Sequence, residues 1–95
     1  MFFKKQIFMV FGLSKSGIAA ADALLDENAK IFLYDESENA FSSAKVDELI
    51  KRGAKPVLNR SFAEMLSLYD VLVLSPGIPV NHELAVLTKK AEKRV

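Results

Sequence analysis

The chain has no cysteine, so it has neither disulfides nor thiolate metal sites, and cysteine usage gives no redox compartment. It has little excess charge of either sign. Its 13 Lys and Arg against 12 Asp and Glu leave +1. Nucleic-acid binding needs a clustered surplus of Lys and Arg, and that is missing. Long hydrophobic runs are missing too: no apolar stretch approaches the ~20 residues of a membrane span. The start, Met1-Phe2-Phe3-Lys4-Lys5, carries two lysines, but the apolar run after it is short and meets Gly12 with no A-x-A-like cleavage site. It reads as the approach to a buried strand rather than as a leader. The expectation is a soluble cytoplasmic protein without nucleic-acid or membrane partners. Histidine is nearly absent: His82 stands alone, and no His/Asp/Glu cluster has metal spacing. No Ser–His–Asp arrangement can be argued either.

What is present is a core of ordinary size. Apolar residues make up 51% of the 95, against ~45–50% in soluble domains. A chain of this length is one domain burying roughly 60–70% of its unfolded surface. Three continuously apolar runs, Gln6 to Phe11, Lys30 to Tyr34 and Val71 to Leu74, read as strands covered on both faces. Lys55 to Leu58 is a weaker fourth.

Helical spacing lies between them. Ser16 to Glu27 sets Ile18, Ala21 and Leu25 on one face, with Asn28 as a C-terminal residue. Ala44 to Arg52 sets Val46, Leu49 and Ile50 inward and is closed by Gly53. Ser61 to Leu66 is one short turn. Asn81 is the expected N-cap of a last helix, His82 to Lys93, carrying Leu84, Leu87 and Ala91 inward. The basic tail Lys89, Lys90, Lys93 and Arg94 suits the C-terminal end of a helix dipole and reads as a solvated face. Strands alternating with helices imply right-handed crossovers. The expected fold is α/β, a Rossmann-like three-layer sandwich with a mainly parallel sheet of four strands, open to a fifth. Glu92-Lys93-Arg94-Val95 follows the last helix without a C-cap glycine, where such a fold would place another strand; the expectation is an N-terminal piece of a longer protein.

Glycine and proline are scarce, 4 and 3, yet most of them sit in two loops that directly follow strands. The first, Gly12-Leu13-Ser14-Lys15-Ser16-Gly17, has the dinucleotide fingerprint with Ser14 at its second glycine. Gly12 would make the turn and Gly17 would allow close helix–strand packing. The Ser14 Cβ takes space that a pyrophosphate would use, which weakens a dinucleotide reading. P-loop spacing is also present, but Ile18-Ala19 stand where Lys and Ser/Thr are needed, so the loop is no ATP site. Free N–H groups at the following helix start, the Ser14 and Ser16 hydroxyls and the mobile charge of Lys15 suit a phosphate or diphosphate. An ordinary turn, with Ser14 or Ser16 capping the helix, is the plain alternative.

Asp35 follows the second strand, 23 positions after Gly12, where a ribose or base contact is made. Glu36 and Glu38 beside it would repel a 2′-phosphate. The second loop, Ser75-Pro76-Gly77-Ile78-Pro79, is a rigid turn after the fourth strand. With the first and fourth strands adjacent, both loops face one crevice at the switch point of the sheet. His82, in the first turn of a helix, reads as a surface or capping residue.

Taken together, these residues resemble the N-terminal domain of the Mur ligase family, in its D-glutamate-adding branch. Val10-Phe11-Gly12-Leu13-Ser14-Lys15-Ser16-Gly17, Tyr34-Asp35 and Leu74-Ser75-Pro76-Gly77-Ile78 carry the resemblance, which covers essentially the whole chain. The first loop is similar to the Gly-Leu-Ala-Lys-Ser-Gly form of Gram-positive members, with Ser14 for alanine. The resemblance implies that residues 1–95 are one domain holding the UDP part of UDP-N-acetylmuramoyl-L-alanine. Ser14, Lys15, Ser16 and Gly17 would line the diphosphate, Asp35 and Glu36 would meet the uracil, and Ser75, Pro76 and Gly77 would close the pocket. Many members carry Thr or Ser after the Asp, where this chain has Glu36.

The family's chemistry, amide formation in peptidoglycan precursor synthesis, uses ATP, Mg²⁺ and usually a carbamylated lysine on a central domain. The resemblance therefore implies missing central and C-terminal domains and no catalytic residue here. Two rival readings remain. One is an NAD(H)-binding domain of a dehydrogenase or potassium-transport regulator, supported by Gly12, Gly17 and Asp35. The other is a non-catalytic α/β interaction domain.

Overall fold

The computed structural model describes residues 6–95; Met1 to Lys5, read above as no leader, lie outside them. The chain runs β1 (Ile7–Phe11), α1 (Lys15–Asp26), β2 (Lys30–Tyr34), a 3₁₀ turn (Glu38–Ser42), α2 (Ala44–Lys51), β3 (Lys55–Pro56), α3 (Phe62–Met65), β4 (Val71–Leu74) and α4 (Glu83–Lys90). The sheet is parallel throughout, in the order β3-β2-β1-β4. β1 lies between β2, with Phe11 opposite Tyr34, and β4, with Phe11 opposite Leu74. This is the expected α/β, Rossmann-like arrangement. Beyond α4, Arg94 forms a parallel bridge with Val71, and the Leu72 N–H donates to its carbonyl at 2.9 Å. A fifth position in the sheet is thus begun at the β4 edge.

Strand alternation divides the core in two. Met9, Phe11 and Leu72 point to one face, where Met65 of α3, Leu84 and Ala85 of α4, and Tyr69 cover them. Val10, Ile31 and Leu33 point to the other, against Ala21 of α1 and Val46 and Leu49 of α2. Covering both faces is what makes these strands continuously apolar, and full burial of a side chain such as Leu72 contributes about 1.5–3 kcal/mol. β3 is the shortest strand because Pro56 has no N–H for the ladder, which restricts it to the sheet edge.

Three helices close in the same way. Asn28, Gly53 and Glu92 adopt φ of 61°, 113° and 60°, and each donates its N–H back to the end of its helix. The next residues, Ala29, Ala54 and Lys93, donate to Leu24, Leu49 and Thr88. These are Schellman caps, which favour glycine because the left-handed region crowds a Cβ. The end of α4 therefore closes without glycine, on Glu92.

Three expectations about α4 and the residues after it are corrected. His82, not Asn81, is the N-cap, and its Nδ1 accepts the Leu84 N–H at 3.1 Å. Ala91 is exposed, past the helix, while Thr88 is buried in its place between Tyr69 Oη, at 2.6 Å, and the Leu84 carbonyl. Lys93 is not part of a solvated face. Its ammonium donates to the Leu66 and Tyr69 carbonyls and stands 5.5 Å over the Tyr69 ring, pinning the segment that carries Arg94 to the sheet.

Replacing Glu92 by glycine removes the left-handed strain and should stabilise the fold by about 0.5–1 kcal/mol. Thermal unfolding should then rise by a few degrees, since about 1 kcal/mol moves a domain of this size by 4–8 °C. An unchanged or lower midpoint would refute a strained cap.

Candidate functional site

At the carboxyl edge the two glycine-bearing loops are joined by their own atoms. The Gly12 N–H donates to the Tyr34 carbonyl at 2.9 Å and the Ser75 N–H to the Phe11 carbonyl at 3.0 Å, so each loop begins where the ladder ends. Ser75, only 4% exposed, donates its hydroxyl to the Gly12 carbonyl at 2.8 Å. That uses its proton, so the Ser14 hydroxyl, 3.0 Å away, is the donor to Ser75 Oγ. The two loops thus meet at the switch point of the sheet and are held together by the relay Ser14–Ser75–Gly12.

Both glycines of the first loop are required. Gly12 has φ 97°, and a Cβ on it would lie 2.7 Å from the Ser75 Cβ. A Cβ on Gly17 would lie 1.8 Å from the Gly12 carbonyl oxygen, so the first turn of α1 packs directly on the turn before it. These are the turn and close-packing roles expected for them. Gly77 differs: its φ lies outside the left-handed region, and a Cβ there would meet nothing within 4 Å. The fold makes no demand for glycine at this exposed position.

Ser14 has the N-cap backbone conformation but no capping bond, because its hydroxyl turns to Ser75 instead. The ordinary capped turn is therefore not what forms. The first turn of α1, with Lys15, Ser16 and Gly17, keeps its N–H groups without a side-chain cap among the described residues, and it has no acidic residue. Such an end attracts anions. Ser16 and Lys15 are exposed, and Lys15 also borders a depression of about 510 Å³ between α1 and α2, with Lys45 and Arg52. A second depression of about 510 Å³ lies at the opposite, amino edge of the sheet. Neither is lined by Gly12, Asp35, Ser75 or Gly77; backbone donors distinguish the carboxyl edge.

The acidic tip separates into two roles. Asp35 accepts the Leu13 N–H on Oδ2 and the Ser37 N–H on Oδ1, both at 2.8 Å. Its carboxylate clamps the first loop to the end of β2. Glu36 is the exposed acid, and its Oε1 lies 3.2 Å from His82 Nε2. Burial first, then the charges of Glu36 and Asp35, push the Tyr34 phenol above its ordinary value, so Tyr34 stays protonated at neutral pH. His82 packs edge-on to Phe11 and Phe62, with centroids 4.8 and 5.7 Å away. Sequence reasoning missed this histidine. Only its place after Pro79 and beside the second loop could have suggested it. Among the described residues no group of His, Asp and Glu could hold a metal ion, and no helix is long and apolar enough to cross a membrane.

Comparison with known proteins shows the family. The family described as Mur ligase MurD-like, N-terminal domain, matches residues 5–95. The chain is 30% identical over 92 residues to the UDP-N-acetylmuramoylalanine–D-glutamate ligase of Prochlorococcus marinus (strain MIT 9515), which covers 92% of this chain and 19% of that protein. It is 35% identical over 89 residues to the ligase of the same name from Lachnospira eligens, covering 93% of this chain and 20% of that one. The chain thus spans about one fifth of the length of these curated relatives. Among solved structures, shikimate dehydrogenase from Aquifex aeolicus superposes with a TM-score of 0.59 at 23% identity, over 84% of this chain and 28% of that one. Imine reductase BcSIRED from Bacillus cereus BAG3X2 superposes at 0.58 and 26% identity, over 90% and 26%. These structural likenesses are likenesses of fold.

Gly17→Ala should cost about 3 kcal/mol or more, because backbone rather than a flexible side chain would have to yield. Gly77→Ala should stay within about 0.5 kcal/mol of the parent. Chemical denaturation of both variants checks the contrast, and equal effects would refute it.

Proposed function

Because the chain belongs to the MurD-like family of Mur ligase N-terminal domains, we propose that it is the domain that binds UDP-N-acetylmuramoyl-L-alanine in an ATP-dependent ligase adding D-glutamate during peptidoglycan precursor synthesis. The observation that carries this reading is the uncapped first turn of α1, set by the Ser14–Ser75–Gly12 relay beside an exposed Gly77. Two negative phosphates would accept from the N–H groups of Lys15, Ser16 and Gly17, favoured by the helix dipole. The Lys15 ammonium can swing to the same place. Pro76 and Gly77 would close over the ligand, and the missing side chain at Gly77 lets backbone approach it closely.

Ser75 acts from beneath, as the support of the loop. Asp35 likewise supports, while Glu36 is the acid left to meet the base. The residues described here contain neither a P-loop lysine after Gly17 nor a metal-binding group. The phosphorylation of the substrate carboxylate therefore belongs to central and C-terminal domains beyond this chain, and residues 1–95 alone bind without turnover.

The NAD(H) reading has the fold in its favour. Against it stand the Ser14 side chain at the position where a pyrophosphate needs glycine, and the occupation of both Asp35 oxygens by backbone donors.

Amide NMR titration of the chain distinguishes these readings. UDP-N-acetylmuramoyl-L-alanine should shift Lys15 to Gly17, Glu36 and Gly77, NADH should not, and Gly77→Ala should weaken the UDP ligand about tenfold, a loss of ~1.4 kcal/mol, without loss of fold. Shifts with NADH alone would overturn the proposal, as would ATP turnover by the chain itself.

A further inference from the structure

Resting on the reading of this site as a uracil-nucleotide site whose base meets Glu36, we infer that His82 is the positioning residue of that contact, the two forming a base-reading pair in which Glu36 accepts a ring N–H. The two acids at the tip of β2 are not equivalent. Both oxygens of Asp35 already accept backbone N–H groups. Glu36 has one oxygen on His82 and the other with no protein partner among the described residues, on a side chain that is 56% exposed. A flexible, solvated glutamate is a poor recognition group, because fixing it costs about 1.5–2 kcal/mol of rotamer freedom. Here that ordering is done beforehand by a side chain which is itself packed and hydrogen-bonded.

His82 is only 16% exposed and is held from three sides. Its Nδ1 accepts the Leu84 N–H, which fixes the tautomer with the proton on Nε2 and aims that proton at Glu36. Phe11, from the end of β1, and Phe62, from the start of α3, hold the ring edge-on. Phe62 is placed in turn by the Ser61–Glu64 capping box, in which each side chain accepts the other's backbone N–H at 3.2 Å. One histidine therefore couples the N-terminus of α4, the aromatic group at the strand ends and the acid beside the nucleotide loops.

The chemistry selects the base. Uracil presents an N–H at ring position 3, which a carboxylate oxygen accepts. Cytosine presents a lone pair there, which the same oxygen repels. The two pyrimidines have the same ring and differ at that edge, so the ratio of their affinities reads Glu36 and leaves the phosphate contacts common to both.

The test is calorimetric titration of the chain with UDP and with CDP. The parent should prefer UDP by about tenfold or more, as expected for a hydrogen bond to a charged acceptor. Glu36→Gln offers both a donor and an acceptor to the base, so the ratio should fall to within about threefold while CDP binding holds or improves. His82→Asn keeps a side-chain acceptor at the N-cap of α4 but cannot reach Glu36. It should stay folded, with a thermal midpoint lower by a few degrees for the lost ring packing, and lose most of the preference.

A parent that binds both nucleotides equally, or a Glu36→Gln variant with the parent's ratio, would overturn the base-reading pair and leave nucleotide binding standing. Loss of the ratio in Glu36→Gln with its retention in His82→Asn would overturn the positioning role of His82. Binding of neither nucleotide by the parent would overturn the nucleotide reading and this inference with it.

Discussion

The bond from the Ser75 hydroxyl to the Gly12 carbonyl is the constraint on which the carboxyl edge depends. It links residues 63 positions apart, and its geometry leaves no room for side chains around it. Gly12 cannot carry a Cβ because Ser75 is there, and Gly17 cannot because the same carbonyl lies under the helix. The bond also takes the Ser75 proton, which draws the Ser14 hydroxyl inward and away from its capping position. One buried interaction thereby fixes the loop spacing, the packing of α1 on β1, and the uncapped state of the helix end offered to a ligand. A buried hydroxyl satisfied in this way contributes modestly by itself, about 1 kcal/mol, but leaving the carbonyl without its partner costs more.

Around that junction the domain separates support from recognition. Asp35 and Ser75 look functional in the sequence, and in the fold each also bonds backbone, Asp35 accepting two N–H groups and Ser75 donating to the Gly12 carbonyl. The α1 amide groups lack a side-chain cap, Gly77 is exposed, and Glu36 keeps one oxygen without a protein partner among the described residues. Support and recognition groups alternate along the same short loops, so a substrate would touch atoms whose positions are held by their immediate neighbours. This suits a domain that binds and orients a diphosphate without performing chemistry on it. The two depressions of about 510 Å³ lie elsewhere, between α1 and α2 and at the amino edge.

Much of this was readable in advance, for identifiable reasons. β2 and β4 run over the residues expected, since a strand buried on both faces is an uninterrupted apolar run with polar or turn residues at each end. Gly53 closes α2 because local sterics alone decide a left-handed cap. Local preference puts the cap of α4 one residue early, at Asn81, whereas the histidine ring gains both a capping bond and an aromatic seat between Phe11 and Phe62. Lys93 departs from the local pattern for a similar reason. Nothing near it in sequence marks the Leu66 and Tyr69 carbonyls that it joins.

The sequence by itself determined the α/β order, the parallel sheet, the two loops and the residue types able to hold a phosphate, because each depends on periodicity or on the conformational limits of glycine and proline, which act within a few residues. Only the tertiary structure decided which polar groups are already spent. Asp35 and Glu36 are adjacent acids, and Ser14 and Ser75 are both small hydroxyls in loops. Their separate roles follow from which backbone donors, carbonyls and rings are brought to the same edge, and that is a property of long-range packing, to which local pattern is blind.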